Sequence, residues 1–297
     1  MIEKMEIRLL RYFLTIAEEG TISRAAAVLH ITQPTLSRQL KNLEIQLGSP
    51  LFTRDARQME LTEAGLFLKS RATEILMLSD ATEKEFIDRK QQLFSGNIAI
   101  GCVEADNSDT LALMLEEFIA DYPQVTFSMF DGTSEDIRDR LDKGLLDVAI
   151  LLEPIETSCY VKLVLPRVER WGLAVAATSP LAQRDWIAPQ DLPNLPLVVG
   201  GRTEVRDLLT TWYGHAIDEL SIVGTMNLGF NTMPLVIDGK IVTLSIEGAI
   251  TAYHSSDVKF VPFKPELNTN CVLTWKQGRQ MSPVVTEFIR RFRESFG

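Results

Sequence analysis

Residues 32–48 constrain this chain more than any other segment, because they carry two distinct stripes at helical spacing. The first stripe is apolar and is expected to face a core: Leu36, Leu40, Leu43 and Leu47, at i, i+4, i+7 and i+11. The second stripe is polar and contains Gln33, Ser37, Arg38 and Lys41. Such side chains suit base edges and phosphates, with no bulky apolar group between them. The segment therefore predicts a helix that buries one face and reads DNA with the other.

The segments around this helix favour the same interpretation. Thr32 can cap its start, Pro34 is tolerated in the first turn, and Gly48 can end it. Two shorter amphipathic helices are predicted before it, over about 5–19 and 22–29. Only three residues then separate the second helix from the third. A connection this short forces the sharp angle of a helix-turn-helix.

A wing is predicted after the third helix. Leu51-Phe52 and Leu61 can form two short strands, with Arg54 and Arg57 at the tip beside a phosphate backbone or a minor groove. The alternative is an ordinary three-helix core with solvated basic residues, but the combination of turn, capped helix, polar stripe and wing favours DNA binding. The predicted DNA-contacting residues are Arg24, Thr32, Gln33, Pro34, Thr35, Ser37, Arg38, Lys41, Arg54 and Arg57.

The overall charge at first argues against a nucleic-acid binder. The chain has 297 residues and a net charge of −10. Residues 1–71, however, hold ten Lys/Arg against eight Asp/Glu, a net charge of +2, so the remainder carries −12. A patch this modest predicts weak DNA binding by one copy, with dimerisation supplying the affinity.

Other features narrow the class of protein. No segment approaches the length of an apolar membrane span and no cleavable apolar signal is recognisable, so we expect a cytoplasmic protein. The three cysteines, Cys102, Cys159 and Cys271, are scattered, and no His/Cys cluster has metal-ligand spacing. We therefore expect neither a metal nor a cofactor.

Residues 5–92 resemble the winged helix-turn-helix and linker helix of LysR-type transcriptional regulators. The resemblance rests on segments whose order and spacing match over about sixty residues: LRYF at 10–13, SRAA at 23–26 with Leu29, QPTLSRQL at 33–40, LE at 43–44, LG at 47–48, LFTR at 51–54 and LTEAG at 61–65. It implies sequence-specific binding to double-stranded DNA by a homodimer or homotetramer.

A long linker helix is predicted from Thr62 to about Leu93, where Gly65 is the only glycine and proline is absent. About thirty helical residues extend about 45 Å. A seam at coiled-coil spacing consists of Leu68, Ala72, Ile75, Ser79, Thr82 and Phe86. The seam packs either on its own domain or against a second copy, and the resemblance implies antiparallel pairing of linker helices.

After Gly96 the pattern becomes α/β. Predicted strands and helices alternate as βαβαβ up to Leu152, and a second such set follows between about 162 and 264. A strand at 271–275 and a helix at 283–296 fit better with the first set. Two crossings, near 160 and 265, are expected to join two lobes, as in periplasmic binding proteins. The LysR resemblance extends here through LLDVAI at 145–150, WGL at 171–173 and SPL at 179–181, so it covers essentially the whole chain.

The predicted organisation is therefore an α winged helix-turn-helix plus linker helix, followed by a two-lobed, periplasmic-binding-protein-like α/β effector domain. We predict a DNA-binding domain at 1–61, a linker helix at 62–94 and an effector-binding domain at 95–297. Lobe I comprises 95–161 and 267–297, and lobe II comprises 162–266.

A small-molecule effector site is predicted between the lobes, because ligands of open α/β sheets bind beyond the carboxyl ends of the strands. One residue at these strand ends is Arg202, whose positive charge suggests an anionic group on the ligand. Alternatively, the residues at these strand ends are ordinary turn and cap residues. The predicted effector-binding residues are Glu104, Asn107, Ser108, Thr133, Ser134, Gly201, Arg202, Thr203 and Asn227.

The sequence fits three functions to different degrees. An effector-responsive transcriptional regulator accounts for both halves of the chain. An enzyme is disfavoured, because His30, His215 and His254 lie in no recognisable arrangement with a nucleophile or metal ligands. A thiol-switch regulator would use Cys159 and Cys271 near the crossings, although separated cysteines are more often small buried apolar residues.

Overall fold

The structure is a computed structural model that describes residues 5–53, 59–91, 94–155, 158–251, 253 and 255–297. It contains two compact units, Met1–Gln91 and Gln92–Gly297. The predicted α helix-turn-helix and α/β regions fall in separate units. The finer division into domains and lobes stays a prediction, except where strand pairing bears on it below.

Three helices form the core of the first unit. Helix α1 (Ile7–Glu19) ends at Gly20, α2 (Ile22–Val28) follows, and α3 (Gln33–Leu47) ends at Gly48. Both glycines have φ of +67°, a left-handed conformation that costs glycine least. The Thr21 hydroxyl accepts a hydrogen bond from the Arg24 amide and so caps α2. The predicted helix-turn-helix is confirmed.

Two details of α3 differ from the prediction. Thr32 occupies the N-cap position, but its hydroxyl lies 2.8 Å from the Thr35 hydroxyl and makes no capping bond to the backbone. Leu36, Leu40 and Leu43 are buried, whereas Leu47 is 40% exposed. Leu47 points in nearly the same direction as Leu36, but it lies about 16 Å further along the axis, beyond the buried cluster.

The predicted wing strands are present as a short antiparallel pair, β1 (Phe52–Thr53) and β2 (Glu60–Leu61). Phe52 is buried against Phe13 of α1, with ring centroids 5.4 Å apart, so the wing is attached to the helical core. Arg54 and Arg57, predicted at the tip, lie outside the described residues.

The linker is a single helix, α4 (Glu63–Gln91). Its Leu68, Ala72 and Leu76 are buried in the core of the first unit. At the N-terminal end of the predicted seam, Leu68 and Ala72 pack on their own domain, one of the two alternatives left open, because α4 runs against α1 there. Further along, Ile75, Thr82 and Phe86 are exposed and Ser79 is half-buried.

The second unit is built on one mixed sheet of nine strands. Its strands are β3 (Gly96–Cys102), β4 (Val125–Asp131), β5 (Val148–Leu152), β6 (Tyr160–Ala176), β7 (Leu197–Gly200), β8 (Ile222–Met226), β9 (Val242–Ile246), β10 (Val258–Pro262) and β11 (Asn268–Lys276). Its helices are α5 (Ser108–Asp121), α6 (Ser134–Asp142), α7 (Thr203–Tyr213), α8 (Met233–Ile237), α9 (Glu247–Thr251) and α10 (Pro283–Phe296).

The strand order is β4-β3-β5-β11-β6-β9-β7-β8, and β10 also pairs with β6. Strand β3 lies between β4 and β5 and is parallel to both, and β7 lies in the same way between β9 and β8. These two parallel groups lie within the ranges predicted for the two lobes, and they are called the first and the second lobe below. Helix α10 packs on β3 and α5, so the C-terminal segment packs on the first lobe.

Strand β6 joins the lobes, and this differs from the prediction. Its first part, up to Arg170, pairs with β11 in the first lobe, whereas Trp171–Ala176 pairs with β9 and β10 in the second. Residues 162–170, predicted in lobe II, therefore belong to lobe I, and the first crossing lies near 170 instead of 160. The alternating burial of 160–170 is typical of a strand with one face exposed, although no strand was predicted here.

Gly172, immediately after this crossing, is enclosed by backbone. A Cβ atom there would lie 2.3 Å from the Val261 carbonyl oxygen, which belongs to a paired strand and has little room to move. We predict that Gly172→Ala lowers the free energy of unfolding by about 2–3 kcal/mol. Denaturant unfolding of the full chain measures this change. The control is Gly224→Ala, whose Cβ would meet only the Val198 side chain at 3.6 Å. Equal stability of the two variants would contradict the claim that the backbone around Gly172 has no room for a Cβ atom.

Candidate nucleic-acid interface and ligand cleft

The polar stripe of α3 is accessible in the first unit. Gln33, Arg38 and Lys41 are exposed, and Ser37 is half-buried. None of these four side chains forms a hydrogen bond or ion pair with another described residue. Their donors and acceptors are therefore available to an external partner. The buried leucines on the opposite face set this orientation, because a rotation of α3 that hid the polar stripe would expose them.

The other predicted contacts surround this stripe. Thr32 and Pro34 are exposed at the start of α3, and Thr35 is half-buried. Arg24 on α2 is 74% exposed and lies 3.4 Å from the Glu19 carboxylate. An exposed ion pair of this kind contributes little stability, so Arg24 can exchange Glu19 for a phosphate at small cost. The described part of the predicted set thus lies on α2, α3 and the turn between them.

Glu44, the only acidic residue of α3, is already engaged. Its carboxylate accepts a hydrogen bond of 2.8 Å from the Leu51 amide at the base of the wing. The carboxylate therefore fixes the chain between helix and wing, a role that sequence reasoning missed. A glutamate eight residues before a strand gives no local signal of such a contact.

In the second unit, a cleft of about 500 Å³ lies where the two lobes face each other. Residues at the carboxyl ends of β3, β5, β7 and β8 line it, as expected for open α/β sheets. Six of the nine predicted residues are in its wall: Glu104, Thr133, Ser134, Gly201, Arg202 and Asn227. The cleft is large enough for a small organic molecule.

The other three predicted residues do not line the cleft. Asn107 is fully buried and donates to the Glu169 carboxylate at 3.1 Å and to the Arg167 carbonyl at 2.9 Å. Ser108 begins α5, with its hydroxyl 4.0 Å from the Cys102 sulfur. Thr203 is the first, exposed residue of α7. These are positions in turns and helix caps, the second of the two alternatives predicted for the strand-end residues.

Arg202 bridges the two lobes. From the start of α7 its guanidinium donates to the Ser134 hydroxyl at 3.2 Å, the Leu152 carbonyl at 3.5 Å and the Pro154 carbonyl at 2.6 Å, all in the first lobe. Its side chain is 12% exposed, and Nε lies 3.9 Å from the Glu204 carboxylate. Burial lowers the pKa of Arg202, while the Glu204 charge opposes that change. The cationic side chain is thus held inside the protein by its own acceptors.

Several lining residues were not predicted. Trp171, at the β6 crossing, forms part of the wall and donates from its indole N–H to the Thr269 hydroxyl at 3.0 Å. Ser245, Ile246 and Ala249 come from the end of β9 and from α9. Only the sheet order reveals that β6 and β9 are neighbours at the cleft.

A buried carboxylate lies near the crossing in the first lobe. Glu169 is 1% exposed, and burial raises its pKa, whereas hydrogen bonds from Asn107 oppose the shift. The thiol of Cys271 lies 3.8 Å from the same carboxylate. These contacts fix the loop before α5 to the middle of β6. Asn107, Glu169 and Cys271 thus hold the segments beside the cleft in place, but none of the three lines it.

The cysteines do not form a disulfide framework. Cys102 and Cys271 lie on strands separated by β5, about 10 Å apart, beyond the reach of a disulfide. Cys159 precedes the Tyr160–Lys276 pair and so lies about 20 Å from Cys271 along the ladder. Burial raises the pKa of Cys102 to about 11, and it also raises the pKa of Cys271. Both buried thiols are thus unreactive, which disfavours a switch between these cysteines.

Comparisons with known protein families identify the class. The LysR substrate binding domain family matches residues 91–297, and the bacterial regulatory helix-turn-helix family of lysR type matches residues 7–66. Together they cover nearly the whole chain. The chain therefore belongs to the LysR family of transcriptional regulators, which join a DNA-binding helix-turn-helix to an effector-binding domain.

Individual relatives agree with this assignment. The Hca operon transcriptional activator HcaR of Escherichia coli strain K12 is 28% identical over 297 residues, which cover 98% of each protein. The transcriptional regulator BsdA of Bacillus subtilis strain 168 is 34% identical over 199 residues, 66% of this chain and 67% of BsdA. These relatives are regulators of transcription, so the class is a regulator and not an enzyme.

Solved structures share the fold. CbnR, a LysR family transcriptional regulator, superposes with a TM-score of 0.77 at 22% identity, over 99% of this chain and 100% of CbnR. Full-length CbnR complexed with its target DNA gives a TM-score of 0.75 at 23% identity, over 98% and 100% of the two chains.

Two further findings concern the described residues. None of their helices combines the length and the apolar character needed to cross a bilayer. Within the same part of the chain, no group of three or more His, Cys, Asp or Glu side chains is arranged to hold a metal ion.

The Arg202 bridge makes a stability prediction. Arg202→Met leaves two carbonyls and the Glu204 carboxylate without their cationic partner, so we expect the free energy of unfolding to fall by about 2–4 kcal/mol. Arg206→Met is the matched control, because Arg206 only approaches the exposed Asp218 at 3.7 Å and its loss should cost less than about 1 kcal/mol. Denaturant unfolding compares the two. Similar losses in both variants would show that the bridge contributes nothing.

Proposed function

We propose that the protein binds specific double-stranded DNA sites through α2, α3 and the wing, and that a small-molecule effector in the interlobe cleft modulates this binding. The observation that carries the proposal is the exposed polar stripe of α3, free of internal partners, on a helix-turn-helix of the LysR family. Ser37 and Arg38 are assigned to base edges, and Lys41 and the arginines of the wing to phosphates.

The structure of CbnR with its target DNA supports this assignment as a precedent for the same fold. Bacterial chromosomal DNA lies in the cytoplasm, so we propose that this protein is cytoplasmic. Effector binding is proposed to change the relation of the lobes and thereby the affinity for DNA, which requires about 1–3 kcal/mol of coupling.

We further propose that two copies pair through α4, since it carries apolar side chains that its own unit does not cover. Phe67, Ile75 and Leu78 are 66%, 38% and 44% exposed and share one face of the helix. At both ends of the sheet, edge strands also expose apolar residues, with Phe127 and Met129 on β4 and Val223 on β8. These edges can extend a dimer into a homotetramer.

DNA recognition is tested with Arg38→Ala. A random double-stranded DNA library selected on the full-length wild-type protein first yields a binding sequence. Arg38→Ala should then lose about tenfold or more in affinity for that sequence and relax the preference at one or two positions. Arg57→Ala should weaken binding to all sequences to a similar degree and reduce the salt dependence.

The control for this experiment is Lys69→Ala, which removes one positive charge from an exposed position of α4 outside the predicted set. It should retain the wild-type sequence preference. If Arg38→Ala keeps both the affinity and the preference of the wild type, α3 is not the recognition helix.

Pairing through α4 is tested with Leu78→Asp. A charge within an apolar contact between two helices should shift the protein toward smaller species in sedimentation velocity at micromolar concentration. Thr73→Asp adds the same charge on the opposite face of α4, where Thr73 is exposed, and should leave the sedimentation unchanged. An unchanged assembly in Leu78→Asp argues against this face as the contact.

A further inference from the structure

We propose that the effector of this cleft is a small organic amine with an apolar body, and that Glu104 and Glu135 select it. This inference rests on the proposed function, since it assigns the ligand class of the same cleft. It replaces the expectation of an anionic ligand, which was based on Arg202 as a free cation.

Arg202 is the only Lys or Arg among the described residues that line the cleft. Three hydrogen bonds to the first lobe engage both terminal nitrogens of its guanidinium. The remaining nitrogen, Nε, has no hydrogen-bond partner but is buried from solvent, beside the Glu204 carboxylate. These bonds leave Nη2 one N–H, so a carboxylate ligand could accept at most one hydrogen bond from Arg202 without breaking the bridge. The paired, bidentate contact that makes arginine a strong receptor for carboxylates is therefore not open to an anionic effector here.

The free charges in the wall are negative. Glu104 follows β3 and Glu135 lies in the first turn of α6, and both are exposed. Neither carboxylate forms a hydrogen bond or ion pair with another described residue, although Glu135 acts on Arg202 at longer range. They are hydrogen-bond acceptors that an ammonium group can satisfy.

The helix N-termini at the cleft do not restore an anion site. The first turn of α6 contains Glu135 and Asp136, and the Thr133 hydroxyl already accepts the Asp136 amide. The first turn of α7 contains Glu204. These carboxylates offset the positive ends of the two helix dipoles, which would otherwise attract a ligand anion.

The rest of the wall suits an apolar body. Trp171, Leu244 and Ile246 are at most 5% exposed and contribute apolar surface, and Leu152 faces them from the first lobe. A volume of about 500 Å³ is ample for a ring and a short chain. A ligand that places its ring here and its ammonium group at the carboxylates would contact both lobes.

The test uses pairs of probes that differ in charge and share an apolar body: benzylamine and benzoate, phenethylamine and phenylacetate, and cyclohexanemethylamine and cyclohexanecarboxylate. Full-length protein is titrated with each by calorimetry, and its melting temperature is recorded at millimolar probe. We expect the amine of at least one pair to bind about tenfold more tightly than its carboxylate.

Glu104→Gln and Glu135→Gln should each reduce that preference, and the double variant should abolish it. Asp207→Asn removes the same charge from an exposed position of α7 outside the cleft and should preserve it. Tighter binding of the carboxylates, an undiminished preference in the double variant, or no binding of any amine overturns the proposal. Sequence-specific DNA binding is measured on the same preparation. Its loss would contradict the proposed function, but it would not contradict the inference that the cleft prefers amines.

Discussion

The architecture of the second unit depends on one continuous strand, β6, whose two parts pair with different partners. Up to Arg170 it pairs with β11 of the first lobe, and from Trp171 it lies between β9 and β10 of the second. Because the backbone hydrogen bonds of both lobes share this strand, the lobes cannot separate there without breaking a sheet. The two lobes are therefore joined at the crossing, where Trp171 forms part of the cleft wall. Arg202 forms a second connection between the lobes.

In the first unit, α3 presents polar groups on one face, although its stability comes from burial of the other face. Leu36, Leu40 and Leu43 anchor α3 in the core, and the polar stripe then faces outward without internal partners. A side chain that bonded within its own unit would have to give up that bond on meeting DNA. The free stripe avoids this cost, which suits a surface used for recognition.

Sequence patterns predicted most elements well, and the failures have physical causes. The helix ends at Gly20 and Gly48 were predictable because local backbone conformation decides them. Strand β10, helix α9 and the first part of β6 were missed, since short segments with one exposed face resemble connecting loops in sequence. For the seam of α4 the choice between two partners stayed open in the sequence, because apolar spacing identifies a buried face but not the partner that buries it.

The candidate cleft shows where local information ends. Strand ends pointed to Glu104, Ser134 and Arg202, because the rule that places ligands at carboxyl ends of strands needs only the strand pattern. The same rule included Asn107, whose amide the fold uses to hold Glu169. Arg202 was also taken for a free cation, because the carbonyl groups that accept its hydrogen bonds belong to residues about fifty positions away in the sequence.

The sequence by itself determined the class of protein, the recognition helix and the two α/β lobes, since these depend on periodicity, caps and motifs along short stretches of chain. The tertiary structure decided which polar groups remain free. Hydrogen bonds between distant segments consume some donors and acceptors, such as those of Arg202 and Asn107, and leave others, such as Glu104 and Arg38, exposed to a partner. That distinction depends on which residues become neighbours in space, which no local pattern records.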